Sequence, residues 1–509
     1  MNLYIKDQGL PDIYRGFERV LIEQQRVDKA LEVSEQGRAK GFVDFLTNHI
    51  GMRSPFLPSV SPLSIYQIKQ IAKSQASTLV EYSLIYDYNQ FYQGSSTRST
   101  HWGIPDIYAY ATKLLIWVVS PKGQIWFQEV DLTPLLEEYQ TSLANLVRTV
   151  REAIAVGKDY LSTLPQMFRR YSLDEQLQLL YRFLISPIAD WLPRDPSSRV
   201  MIIPQDFLFL LPFGALKDQN GQYLIEKHTL LSAPSLQAIE LIRKRQKHSF
   251  VPQDLPPDQS LSSSLTPKSS DRGSGAELLR LSDPTAKLPL TLYPALVLGN
   301  PTMPSFSLQF GEVPVYMTRL PGAEIEAKAV ADVLNVAPLT NDAATRTVVL
   351  EQMPKARIIH LATHGWLGST ECMEGVVALA PNSQGKNGFL TLRDIFHLSS
   401  DRHQLPLSAD LVCLSACDIA RGQIWGDGVF RLSQAFLVAG ANTLIISLWL
   451  PPTDSSPILM KQFYQDFQGT GDKAQSLRQA MLSTREKFPE PRYWAGFTLF
   501  GCAALHPAP

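Results

Sequence analysis

A histidine and a cysteine, each placed just past an apolar run, are the residues of this sequence best suited to do chemistry. ARIIHLA (356–362) runs into Thr363-His364-Gly365, and ADLVCLSA (409–416) runs into Cys417-Asp418. Open α/β sheets carry their functional groups at the carboxyl ends of strands. If the two runs are parallel neighbouring strands, His364 and Cys417 emerge at one edge. There a thiolate can attack a carbonyl and an imidazolium can protonate the leaving amine. Gly365 lets backbone approach a substrate closely, and its N–H with that of Cys417 would form an oxyanion hole. The residue types alone also admit a quieter reading, a cysteine packed in a core and a histidine satisfied locally.

Other candidates rank below this pair. Asp418, Asp427 and Asp454 fall in loops near the expected cleft. They would either select a basic side chain before the scissile bond or simply cap loops. His360 and His364 stand four apart, as in HExxH zinc sites, but Leu361 and Ala362 fill the gap in a strand pattern. The four cysteines, Cys372, Cys413, Cys417 and Cys502, include no CxxC pair, so no metal is expected. Cys413 lies inside its apolar run and reads as packing. Gly426-Asp427-Gly428 lacks the GK[ST] ending of a phosphate loop, and no cofactor is expected. Trp494 and Phe497 read as core aromatics; Tyr493 fits core or surface.

The elements that would position the pair alternate. PALVLGN (294–300), ARIIHLA, ADLVCLSA and NTLIISLWL (442–450) read as strands. Helices are expected at 322–334, with Ile325, Ala329 and Val333 on one side, then at 428–441 ended by Gly440, 456–468 and 472–487. This alternation predicts a mostly parallel sheet flanked by helices, over residues 290–509. Upstream, 78–245 reads as an α/β unit with a sheet of its own. It includes a hairpin of 113–119 and 124–130, helices at 134–155 and 174–191, a strand at 199–204 and a turn at 218–222. Residues 246–289 are rich in Ser, Pro and charge and are expected to form a flexible linker. Two helices, 13–25 and 27–48, open the chain. ALEVSEQGRAKGFVDFL within them resembles the closing repeat of a tetratricopeptide array, and a lone repeat must either pack on the downstream body of the chain or meet repeats on another chain.

PQDFLFLLPFGAL, RIIHLATHG, DLVCLSACDIARG, GDGVFRLSQAFLVAGANTLIISLW and RYWAGFTLFG, in this order, resemble the CHAT family, caspase-like domains associated with tetratricopeptide repeats. The resemblance spans roughly residues 170–503. It implies a caspase-like fold shared with separases and gingipains, with His364 as the catalytic histidine and Cys417 as the nucleophile. It also implies that 78–245 is a catalytically dead, pseudo-caspase half. Pro451-Pro452 departs from the single proline that the family tends to carry there. The resulting expectation is a cysteine endopeptidase acting on a protein substrate and regulated by a partner protein at the helical repeat of residues 1–50. The alternative is a catalytically silent scaffold that binds proteins.

Composition bounds these readings. The 47 Lys and Arg against 48 Asp and Glu leave a net charge of −1, which suggests no direct nucleic-acid binding. Arg243-Lys244-Arg245 with Lys247 is the densest basic cluster and reads as a solvated helix end. Few cysteines in 509 residues argue against a disulfide framework. With no long apolar run and no signal-like N-terminus, the expected compartment is the cytoplasm and no membrane contact is expected.

Overall fold

The computed structural model describes residues 4–49, 62–87, 106–156, 171–248, 294–306, 315–366, 376–384, 388–400, 407–415 and 435–503. The expected linker lies almost wholly outside them. Sixteen strands are present among the described residues. They are β1 (Ser77–Tyr86), β2 (Ala111–Val119), β3 (Ile125–Asp131), β4 (Arg199–Ile203), β5 (Thr229–Ser232), β6 (Ala295–Pro301), β7 (Ser305–Phe306) and β8 (Val315–Tyr316), followed by β9 (Leu339–Asn341), β10 (Ile358–Ala362), β11 (Gly365–Trp366), β12 (Val376–Ala378), β13 (Phe389–Thr391), β14 (Leu411–Leu414), β15 (Thr443–Ser447) and β16 (Phe497–Gly501). The main helices are α1 (Tyr4–Glu23), α2 (Val27–His49), α3 (Ile65–Ser74), α4 (Leu143–Val156), α5 (Leu173–Leu184) and α6 (Leu236–His248), then α7 (Pro321–Leu334), α8 (Arg346–Gln352), α9 (Leu392–Ser400), α10 (Ser456–Thr470) and α11 (Lys473–Lys487).

Eleven strands form one sheet in the order β3-β2-β1-β4-β5-β16-β15-β14-β10-β6-β9. The expected separate upstream sheet is therefore corrected. β4 and β5 run parallel beside β1, and β5 meets β16 through the pair Ser232–Phe500. Strand β16 is the last described element. It antiparallels β15, so its far edge is left for an upstream strand to cover. Side chains reinforce the junction. Arg151 of α4 donates to the Leu448 carbonyl at 2.6 Å, and Arg478 of α11 donates to the Ile225 and Glu226 carbonyls at 2.8 and 3.0 Å. A cavity of about 40 Å³, lined by Leu211, Phe213, Met481 and Leu499 among others, sits at this seam.

β10, β14 and β15 are buried at every residue, so both faces of the sheet are covered, as continuous apolar runs require. Trp494 and Phe497 are buried, and Tyr493 is partly buried beside Phe488. The expected helix at 134–155 is broken. A short turn at Thr133–Glu137 stops before Gln140, whose φ is +52°, and α4 restarts past Ser142, which accepts from the Asn145 N–H. In α7, Ile325 is exposed while Gly322, Glu326, Ala327, Val330 and Leu334 are buried. The buried stripe thus includes a carboxylate that apolar patterning passes over.

The N-terminal helices form a hairpin that packs on the body. Arg38 of α2 donates to the Pro204 carbonyl at 2.6 Å and to the Tyr82 carbonyl, and its Nε lies 3.4 Å from Glu81 of β1. Glu35 caps α6 by accepting from the Leu236 and Gln237 N–H groups. Trp117 donates to the Val27 carbonyl. Tyr14 packs so closely on α2 that a Cβ at Gly37 would lie 2.9 Å from it. Among the described residues, no helix is long and apolar enough to cross a membrane.

Candidate functional site

Strands β6, β10, β14 and β15 are mutually parallel. Their carboxyl ends, at Pro301, Ala362, Leu414 and Ser447, therefore share one edge. His364 lies there, two residues past β10. Its backbone is held by a small antiparallel sheet, β11-β12-β13. The His364 carbonyl accepts from Ala378 N at 2.8 Å, the Thr363 hydroxyl donates to the Ala378 carbonyl at 2.9 Å, and Gly365 pairs with Val377. The imidazole is partly exposed.

The ring is anchored on one side. His364 Nε2 lies 2.7 Å from the carbonyl oxygen of Thr318, in the strap leading into α7. A carbonyl only accepts. Nε2 must therefore carry the proton in this contact, and the lone pair of the neutral ring falls on Nδ1. Among the described residues, Nε2 is the ring nitrogen with a hydrogen-bond partner.

Two residues hold the strap. Asn300, at the end of β6, accepts from the Leu320 N–H at 2.9 Å and donates to Glu324 at 3.1 Å. Asn341, at the end of β9, accepts from Arg319 at 2.8 Å. Sequence reasoning passed over Thr318, Asn300 and Asn341. The acceptor is a backbone atom, which no side-chain motif marks, and Asn300 reads simply as the last residue of the PALVLGN strand.

The second histidine has a different environment. His360 is fully buried. Its Nδ1 is 3.2 Å from the Tyr464 hydroxyl and its Nε2 is 3.1 Å from Glu326, so it faces α7 and α10 rather than the edge. Its register partner on β14 is Cys413, buried with its Sγ 3.8 Å from Met460. Burial, and then the Glu326 charge, push the Cys413 thiol well above its ordinary range, so it is a poor nucleophile. No cluster of three or more His, Cys, Asp or Glu placed to hold a metal occurs among the described residues.

Cys417, Asp418 and Asp427 lie outside the described residues. Asp454 is exposed, in the turn between β15 and α10. The preceding Thr453 packs against α7, where a Cβ at Gly322 would come within 2.3 Å of its methyl. Pro452 starts this turn, its carbonyl accepting from Ser455 N and Ser456 N.

A profile of the CHAT domain matches residues 174–502, about two thirds of the sequence. The chain belongs to the CHAT domain family. The CHAT match crosses the seam, running from α5 in the upstream half to the last residues of the sheet. Two curated relatives, the mouse and human proteins named tetratricopeptide repeat protein 28, align along 96% of this chain at 26% and 24% identity. The alignment takes in 22% of each relative, so the chain spans about a fifth of their length. Among solved structures, separase in the Saccharomyces cerevisiae separase–securin complex superposes with a TM-score of 0.48 at 8% identity, over 94% of this chain and 34% of that one. The Arg-specific cysteine proteinase gingipain R superposes at 0.33 and 12%, over 72% and 76%.

Proposed function

We propose that this CHAT chain is a cysteine endopeptidase with Cys417 as nucleophile and His364 as its acid–base partner. The observation that carries the reading is the 2.7 Å anchor of His364 Nε2 on the Thr318 carbonyl. It fixes the ring at the carboxyl edge of the sheet and puts the lone pair of the neutral ring on Nδ1, which in this reading exchanges the proton. The strand register adds support. β10 and β14 pair with a constant offset of 53, as in His360 with Cys413 (413 − 360 = 53), and the same offset separates His364 from Cys417 (417 − 364 = 53).

In this reading Nδ1 takes the thiol proton and the thiolate attacks the scissile carbonyl. The tetrahedral oxyanion is stabilised by the N–H groups of Gly365 and Cys417. The imidazolium then gives its proton to the leaving amine, and water hydrolyses the acyl-enzyme. Asp418, Asp427 and Asp454 are the acids proposed to select a basic residue before the cut. The domain plan that goes with it is a helical repeat over 1–50, a pseudo-caspase half over 78–245, a linker over 246–289 and a catalytic half over 290–509. A regulatory protein would contact the outward face of α1, where Ile13, Phe17 and Val20 are exposed in one stripe.

The test is labelling with a peptide-based thiol electrophile, read by intact mass, together with cleavage of a peptide library. Wild type should label once and cleave, Cys417→Ala should do neither, and His364→Ala should lose turnover. A folded Cys417→Ala protein that still cleaves would refute the reading. A wild-type protein that neither labels nor cleaves, alone or with its partner, would leave the scaffold alternative.

A further inference from the structure

We infer that Asn300 is a positioning residue for His364, acting through the strap that carries the Thr318 carbonyl. The inference rests on the reading of His364 and Cys417 as the working pair.

Asn300, the last residue but one of β6, lies in the left-handed region at φ +47° and is 1% exposed. Few residue types enter that region without strain, and asparagine and glycine are the usual ones. Asparagine alone of the two brings an acceptor and a donor. Both are used on one target. Oδ1 takes the Leu320 N–H at 2.9 Å and Nδ2 donates to Glu324 Oε2 at 3.1 Å. Leu320 is the N-cap of α7, and its N–H is satisfied from β6.

The peptide unit just before this bond carries the Thr318 carbonyl, and that oxygen receives His364 Nε2 at 2.7 Å. The route from strand end to catalytic ring is therefore one side chain, two peptide units and the two hydrogen bonds that join them to Asn300 and to His364. Its base is rigid. α7 sits so close on β6 that a Cβ at Gly299 would lie 2.4 Å from the Ala323 carbonyl. On the other side of the strap, Arg319 is held by Asn341, also left-handed at φ +49°. If Leu320 were released, the Thr318 oxygen would drift, and the ring would lose both its tautomer preference and its aim.

The test uses the full chain and iodoacetamide, with alkylation of Cys417 followed by intact mass across a range of pH. Asn300→Gly keeps the left-handed backbone and deletes both bonds. Asn300→Asp keeps the acceptor but sets a carboxylate against Glu324. In wild type, imidazole assistance should give alkylation near neutral pH that His364→Ala lacks. Asn300→Gly should lose about tenfold of that neutral rate, as small misplacements of catalytic groups do, and Asn300→Asp should lose a smaller part. Both should match wild type at high pH, where the thiol ionises unaided. If Asn300→Gly fails to fold, the selective neutral loss in Asn300→Asp carries the inference. A wild-type profile in either folded variant would overturn it, and so would an equal fall at all pH values, which marks a general structural role. If His364→Ala itself left the wild-type profile unchanged, the catalytic pair would fall first, and this role with it.

Discussion

Glu18 of α1 should make the docking of the N-terminal hairpin depend on pH. The residue is 2% exposed and accepts from the Ser83 hydroxyl of β1 at 2.6 Å. Burial pushes its carboxyl from the ordinary 4.5 up to about 7; the Ser83 bond and the Arg38 and Arg15 charges oppose the rise, and the Glu81 charge adds to it. Between pH 4.5 and 7 the detached helix has lost this proton while the docked helix still holds it. Docking is therefore at full strength below 4.5 and weakens as pH rises through 7. At about 1.4 kcal/mol per pH unit, the gap between 4.5 and about 7 corresponds to about 3 kcal/mol. Glu18→Gln keeps a hydrogen-bonding group and removes the titration. Amide exchange in α1 measures local opening directly. From about pH 4.5 to 8, wild-type α1 should lose about a hundredfold more protection than Glu18→Gln, after correction for intrinsic exchange rates. Glu35 and Glu81, also raised chiefly by burial, titrate in both proteins and largely cancel in the difference. Parallel pH curves for the two proteins, or a steeper loss in Glu18→Gln, would refute the argument.

Two further outcomes are expected. Cys413→Ala should leave alkylation at Cys417 and peptide cleavage intact while lowering stability by about 1 kcal/mol, a small cavity's worth, in chemical denaturation; loss of labelling in this variant would move the nucleophile. Phe17→Glu should leave labelling of Cys417 unchanged in the isolated chain but weaken binding of a regulatory partner at least tenfold by calorimetry, since charge is poorly tolerated at the centre of an apolar contact; unchanged affinity would place the partner elsewhere.

Much of the downstream half was legible in the sequence because its strands are buried on both faces. Such strands need unbroken apolar runs, and PALVLGN, ARIIHLA and NTLIISLWL each contain a strand of the sheet. Helix starts and stops were legible where local chemistry decides them, as with Pro457 in the first turn of α10 and Gly440, whose φ of +129° leaves no room for a Cβ against Leu407. β1 was not legible, although it is buried throughout. It carries Glu81 and Ser83, which are tolerated only because Arg38 and Glu18 arrive from α2 and α1 to meet them.

The order of residues thus determined which segments become strands and helices and which side chains stand at their ends. Tertiary structure alone decided that two halves share one sheet, because strand pairing uses backbone groups that every residue has. It alone decided which groups His360 meets, Glu326 and Tyr464. It also decided what holds His364, since the acceptor is the carbonyl of Thr318, and a carbonyl becomes distinctive only when folding brings a particular donor within reach of it.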